Sequence, residues 1–232
     1  LGYVSAVWNQ VHSGNDAVIR LHSSLIANCT RGDNVFSMFF MWYWAADNSG
    51  QNLSIIMEDA NALLYNTYSA EQGLLYLEWN GTAAGNDGRL AISNSQLAAR
   101  DCSGMNEQLI LFNWRGEQSG NSFYTYITAS NFTSSRFMTN GEFGQELGLL
   151  ISIIDMNWGG ASSGNDVTFD AAMSSFAISS PVADNYDMHN IMMKWVSDFS
   201  GSRQKSILKG CTLVLEGLYA PSLGPFFMLF GT

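Results

Sequence analysis

The residues that could do chemistry are few, and their spacing fits no catalytic pattern that survives inspection. The stretch Gly160–Gly164, GASSG, fits Gly-x-Ser-x-Gly and would set Ser162 at a hydrolase nucleophile elbow. That motif works only as strand–turn–helix, because the turn must lift the hydroxyl above the sheet. Here the following run alternates with period two, so a strand follows and the motif reads as a turn. The three histidines, His12, His22 and His189, lie far apart and make no metal-ligand spacing. Carboxylate neighbours such as Glu58 and Asp59 sit in polar loop contexts and read as solvated. The tripeptide Arg31–Asp33, RGD, could act as an adhesion ligand on an exposed hairpin; its plain reading is a turn with Gly32 supplying positive φ. No phosphate-binding or dinucleotide glycine pattern occurs. The expectation is no enzyme, no metal and no cofactor.

A repeated tetrapeptide is the other conspicuous feature. Ser-Gly-Asn-Asp starts at Ser13 and again at Ser163, each time opening an apolar run, and GNDGRLAI at Gly85 does so a third time. We read it as turn chemistry. Gly14 and Gly164 take positive φ, Asn15, Asp16, Asn165 and Asp166 hydrogen-bond their own backbone, and a strand follows.

The elements that would position any site must come from an unusual composition. The chain of 232 residues is 47% apolar and 13% charged, with a net charge of −10. It can build a large core, and must cover its surface with uncharged polar groups or bury it against partners. Ten Lys and Arg form no cluster, so no electrostatic nucleic-acid footprint exists. The odd count of Cys29, Cys102 and Cys211 gives no disulfide framework and no zinc pattern, and reads as reduced thiols of a cytosolic protein. Sequons at Asn28, Asn52, Asn80 and Asn131 would suit a secreted glycoprotein, but a chain this rich in Asn, Ser and Thr supplies such sequons by chance. The most apolar run, Val35–Ala46, is too short for a membrane helix of roughly 20 residues. The first residue is Leu1, which reads as a processed product or a fragment.

Strand signals dominate, separated by Gly, Asn, Asp and Ser clusters. Weak helical signals cover Met57–Asn66 and a segment with Ser95 as N-cap. In DVTFDAAMSSFAIS, Val167, Phe169, Ala171 and Met173 share one face, then the phase slips at Ser174–Ser175, which marks a β-bulge or a bend at a sheet corner. The run Leu147–Asp155 is apolar on both faces and predicts a central, doubly buried strand. FFMWYW at Phe39–Trp44 also carries bulk on both faces, to be covered within the fold or by another subunit. Many strands with few helices predict an all-β antiparallel sandwich.

Three stretches carry a family resemblance: Ala6–Trp44, Glu107–Ile127 and Leu147–Val182. In order and pattern they resemble the coat proteins of picorna-like plant viruses, the comovirus and nepovirus group. The resemblance implies an antiparallel eight-stranded jelly roll over residues 1–183, with its opening strand missing. Residues 184–232 would then start a second jelly roll or form a C-terminal arm. There WVSDFSG shares Trp-x4-Ser-Gly with WNQVHSG, and all three lysines fall within Lys194–Lys209. The implied role is a capsid subunit that self-assembles into an icosahedral shell, found in the virion and in host cytoplasm. Its partners would be copies of itself, sibling coat domains and weakly, non-specifically held RNA, with no membrane. Trp42, Trp44, Trp114, Trp158, Trp195, Phe226 and Phe227 are the candidates for subunit contacts. The alternative is a secreted carbohydrate-binding sandwich whose exposed aromatics stack on sugars.

Overall fold

A recurrent corner sets the architecture. Trp8, Trp44, Trp79, Trp114, Trp158 and Trp195 each end a strand, and each is followed by four residues, then Ser or Ala, then Gly. Those glycines, Gly14, Gly50, Gly85, Gly120, Gly164 and Gly201, all have φ between +62° and +74°, a region that side chains with a Cβ enter at a cost. Two residues later Asp16, Asn52, Asp87, Ser122, Asp166 and Arg203 are again left-handed. A chain forced through the same turn at each recurrence stacks strand on like strand.

The computed structural model describes residues 2–28, 36–137, 149–179, 186–216 and 222–230. Sheet A holds seven strands: β1 (Gly2–Trp8), β4 (Phe36–Trp44), β7 (Glu71–Trp79), β10 (Asn106–Trp114), β13 (Leu149–Trp158), β16 (Tyr186–Trp195) and β19 (Ser222–Phe230). Sheet B holds β2 (Val18–Leu21), β5 (Ser54–Glu58), β8 (Arg89–Ser93), β11 (Tyr124–Thr128), β14 (Thr168–Ala172) and β17 (Lys205–Lys209). Sheet C holds β3 (Ser24–Asn28), β6 (Asn61–Tyr65), β9 (Gln96–Arg100), β12 (Asn131–Ser135), β15 (Ser175–Ser179) and β18 (Thr212–Glu216). Every ladder is parallel; Trp44 pairs with Trp79, Trp79 with Trp114 and Trp114 with Trp158. The chain is a parallel β-solenoid of about five turns.

This corrects the antiparallel eight-stranded jelly roll, and the partial second jelly roll with it. Short alternating strands and Gly-Asn-Asp turns are shared by both architectures; the pairing partner differs. Here each strand pairs with its counterpart about one coil away, commonly 35–37 residues and 44 in one coil. Trp-x4-Ser-Gly at Trp8 and Trp195 belongs to the recurring series, and β16 continues the ladder of β13 in register, Trp158 against Trp195. Among the described residues there is no helix: the expected helix over Met57–Asn66 is the end of β5 and the whole of β6. The Ser174–Ser175 phase slip is the corner between β14 and β15, with Met173 left-handed and 70% exposed.

Side-chain ladders lock the coils together. At the A–B corner the Asn of Ser-Gly-Asn-Asp reaches the neighbouring coil as well as its own turn. Asn121 N donates to Asn86 Oδ1, Asn165 N to Asn121 Oδ1 and Ser202 N to Asn165 Oδ1, each at 2.8 Å. At the B–C corner Ala60 N, Ser95 N and Ser130 N donate at 3.1 Å to Ser95, Ser130 and Ser174 Oγ respectively. Ser95 is thus a rung of a serine ladder, not a helix cap. Inside, the indoles form one column. Ring centroids are 4.6 Å apart for Trp8–Trp44, 4.9 Å for Trp44–Trp79 and Trp79–Trp114, 4.7 Å for Trp114–Trp158 and 4.8 Å for Trp158–Trp195, with planes within 9° of parallel. These spacings match the distance between neighbouring strands, about 4.8 Å.

Candidate functional site

The column accounts for most of the aromatic residues considered for subunit contacts. Trp44, Trp114, Trp158 and Trp195 are 0% exposed and Trp42 is 5% exposed, all within the core of their own chain. Phe226 is half-buried and meets Phe169 edge-on at 6.2 Å. Phe227 is placed through its backbone ladder to Met192, and its side chain lies outside the described residues. Of the two ways to cover both faces of Phe39–Trp44, coverage within the fold holds: Phe40, Trp42 and Trp44 enter the main core, while Met41 and Tyr43 pack on Met38, Tyr76 and Leu111 in a second cluster. Arg31–Asp33 and Cys29 lie outside the described residues. Ser162, in GASSG, is a left-handed turn residue. Among the described residues no cluster of His, Cys, Asp or Glu has the makeup of a metal site.

The polar chemistry gathers on the outer face of sheet A. Because six of the seven A strands end on a stacked Trp, the preceding residue points outward at the same level in each of those coils. That row reads Tyr43, Glu78, Asn113, Asn157, Lys194; two residues earlier the row reads Met41, Tyr76, Leu111, Asp155, Met192. Between them lies a groove of about 200 Å³, whose lining includes Tyr76, Gln108, Asn113, Arg115, Asp155, Asn157 and Lys194.

A chain of contacts crosses the coils there. Tyr76 OH donates to Glu78 Oε2, and Asn113 Nδ2 donates to Tyr76 OH at 3.4 Å. Asn157 Nδ2 donates to Asn113 Oδ1 at 3.0 Å, and Gln108 Nε2 to Asp155 Oδ2 at 2.7 Å. Lys194 Nζ stands 3.9 Å from Asp155 and Arg115 3.4 Å from Glu78. Tyr43 leans on Tyr76 with centroids 5.5 Å apart.

Burial dominates the electrostatics. It raises the pKa of the Asp155 carboxyl against the opposing pull of Lys194 and Gln108, and raises that of Glu71 at the groove's end against Arg115. It also raises the pKa of the Tyr76 phenol, reinforced by the hydrogen bond to Glu78, so that hydroxyl remains a donor. Asp155 Oδ1 is buried without a hydrogen-bond partner. The groove thus presents the amides of Asn113 and Asn157 with Lys194 and Arg115 along a straight, repeating track, over a buried layer of Tyr76, Glu78, Gln108 and Asp155.

None of these groove residues follows from motif spacing. The signal that finds them is alignment of the chain on its tryptophans, which brings residues 35–44 apart into one row. In comparisons with known protein families, curated proteins and solved structures, none matches this chain.

Proposed function

We propose that the protein binds an extended, hydroxyl-rich chain, a polysaccharide, along the outer face of sheet A. The observation that carries this reading is the half-buried cross-coil row Asn113–Asn157–Lys194, with Arg115 beside it, held over the buried layer of Tyr76, Gln108 and Asp155. Side-chain amides both donate to and accept from sugar hydroxyls, the Lys194 and Arg115 cations donate to them, and the half-buried Tyr43 in the same row adds an apolar ring face. The row steps along the solenoid at about 4.8 Å per strand, so its natural ligand is linear and lies parallel to the axis. The role is binding without turnover: Glu78 and Asp155 are each held by a cation, and Asp155 is closed off from solvent. The coat-protein expectation and the carbohydrate-binding sandwich both named a scaffold that the chain does not form; the present reading keeps the ligand class of the second on a different fold.

Affinity electrophoresis through gels carrying soluble neutral and acidic polysaccharides tests the reading. Retardation by at least one polysaccharide, abolished in Asn113→Ala/Asn157→Ala with the fold intact by circular dichroism, is the expected result. Unretarded migration in every gel, or equal retardation of the double variant, contradicts it.

A further inference from the structure

We propose that the tryptophan column conducts an electron hole along the solenoid axis, giving the protein a redox-relay activity separate from its outer groove. Indole is among the most easily oxidised side chains, and here six indoles stack without interruption, centroid to centroid at 4.6–4.9 Å and within 9° of parallel. Trp44, Trp79, Trp114, Trp158 and Trp195 are fully buried, so water does not reach them.

The glycine of each corner is what permits this approach. A Cβ on Gly85 would sit 2.8 Å from Trp79 Nε1 and 2.9 Å from Trp114 Nε1, and one on Gly120 would sit 2.6 Å from Trp114 Cδ1. A larger residue would force the rings aside and weaken the overlap on which electron transfer between them depends.

The proton inventory favours migration over trapping. Nε1 of Trp44, Trp79 and Trp114 is buried with no hydrogen-bond partner. Trp158 and Trp195 donate to the carbonyls of Gly120 and Gly164 at 3.3 and 3.2 Å, and an amide carbonyl is too weak a base to take the proton. An oxidised indole in the column therefore stays a radical cation, and its ready route to neutrality is an electron from the next ring. The balance is simple. A one-electron oxidant at the surface takes one electron from an indole. Each hop moves one electron back toward that site and the hole one ring onward, and no proton leaves until the hole meets a ring with a base. The net charge of −10 favours a cation travelling inside.

The test places the oxidant at one end. Val196 is 52% exposed and adjoins Trp195; Val196→Cys, in the full chain with Cys29→Ser and Cys211→Ser, is labelled with a ruthenium polypyridyl complex and flash-oxidised with a soluble electron acceptor. Oxidised tryptophans are then mapped by peptide mass spectrometry. The relay predicts oxidation at Trp8, the half-buried ring at the far end of the column, as well as at Trp195. It also predicts loss of the distant products in Trp114→Phe, which keeps an aromatic ring but is harder to oxidise. Trp79→Phe, made separately, should abolish them equally, since it interrupts the same column one coil on. Oxidation confined to Trp195 and Trp158 in the unsubstituted column, or distant products unchanged in both Phe variants, overturns the proposal.

Discussion

The smallest unit with a clear physical role is the left-handed glycine beneath the indole column. Gly120 has φ +62°, and an added Cβ would meet Trp114 at 2.6 Å. Gly120→Ala therefore adds backbone strain to a clash with an immobile ring, and should destabilise the fold by more than about 1 kcal/mol; chemical denaturation followed by tryptophan fluorescence measures it. A second residue-scale feature is Glu107, fully buried, with the Ser134 hydroxyl beside its carboxyl. It faces the interior beside Gln72 and Ile151 in the ladder, and burial pushes its pKa up to about 7, eased by the Ser134 hydroxyl. The ordinary value is 4.5, so between about pH 4.5 and 7 the folded chain holds a proton that the unfolded chain releases. Stability contributed by the neutral acid is complete below that window and declines as pH rises through it, by about 3 kcal/mol in total. Denaturation midpoints measured from pH 4.5 to 8 should fall less steeply in Glu107→Gln, which keeps the shape of the neutral acid. Parallel pH profiles for the two proteins would show that Glu107 is ionised when folded.

At the scale of elements, stability lies in ladders as much as in strands. Asn121 accepts from Asn165 N at 2.8 Å and donates to Gln118 O at 2.9 Å, so it ties its own turn and joins its coil to the next. Asn121→Ala leaves a part-buried N–H and a carbonyl without those partners, and should cost about 1–3 kcal/mol by denaturant titration. Asn121→Asp, which keeps the accepting oxygen, should recover part of the loss. Much of each element was legible in sequence. Val167, Phe169 and Ala171 do share a buried face, and the phase slip after them is a sheet corner, one of the two geometries it predicts. The Leu147–Asp155 run does contain a doubly buried central strand, with Ile151–Asp155 all buried. Gly14 and Gly164 do take positive φ. What period-two alternation cannot state is which strand a strand pairs with: inward and outward faces alternate identically in antiparallel hairpins and in stacked coils. The information lay in the long-range recurrence of Trp-x4-Ser-Gly, blurred by Ala84 in one copy and by the unequal length of one coil. The groove was invisible for the same reason, since Tyr76, Asn113 and Asn157 become neighbours only once the coils are stacked.

For the whole molecule, the repeat turns a short side-chain pattern into a track. Low charge and abundant aromatics, which suggested surface buried against other subunits, are largely accounted for by a core that runs the length of the solenoid and holds the Trp column. The groove then extends from Tyr76 on β7 to Lys194 on β16, three strand-to-strand steps, or roughly 14 Å. A ligand that follows this track must gain contacts with its own length. The most direct measurement is therefore calorimetric titration with an oligosaccharide series prepared from whichever polysaccharide retards the protein in the gel. Affinity should rise with each added sugar until the chain spans β7 to β16 and then level off, and Asn113→Ala/Asn157→Ala should flatten the rise. A monosaccharide bound as tightly as the longest oligomer, or no heat of binding at any length, would contradict it.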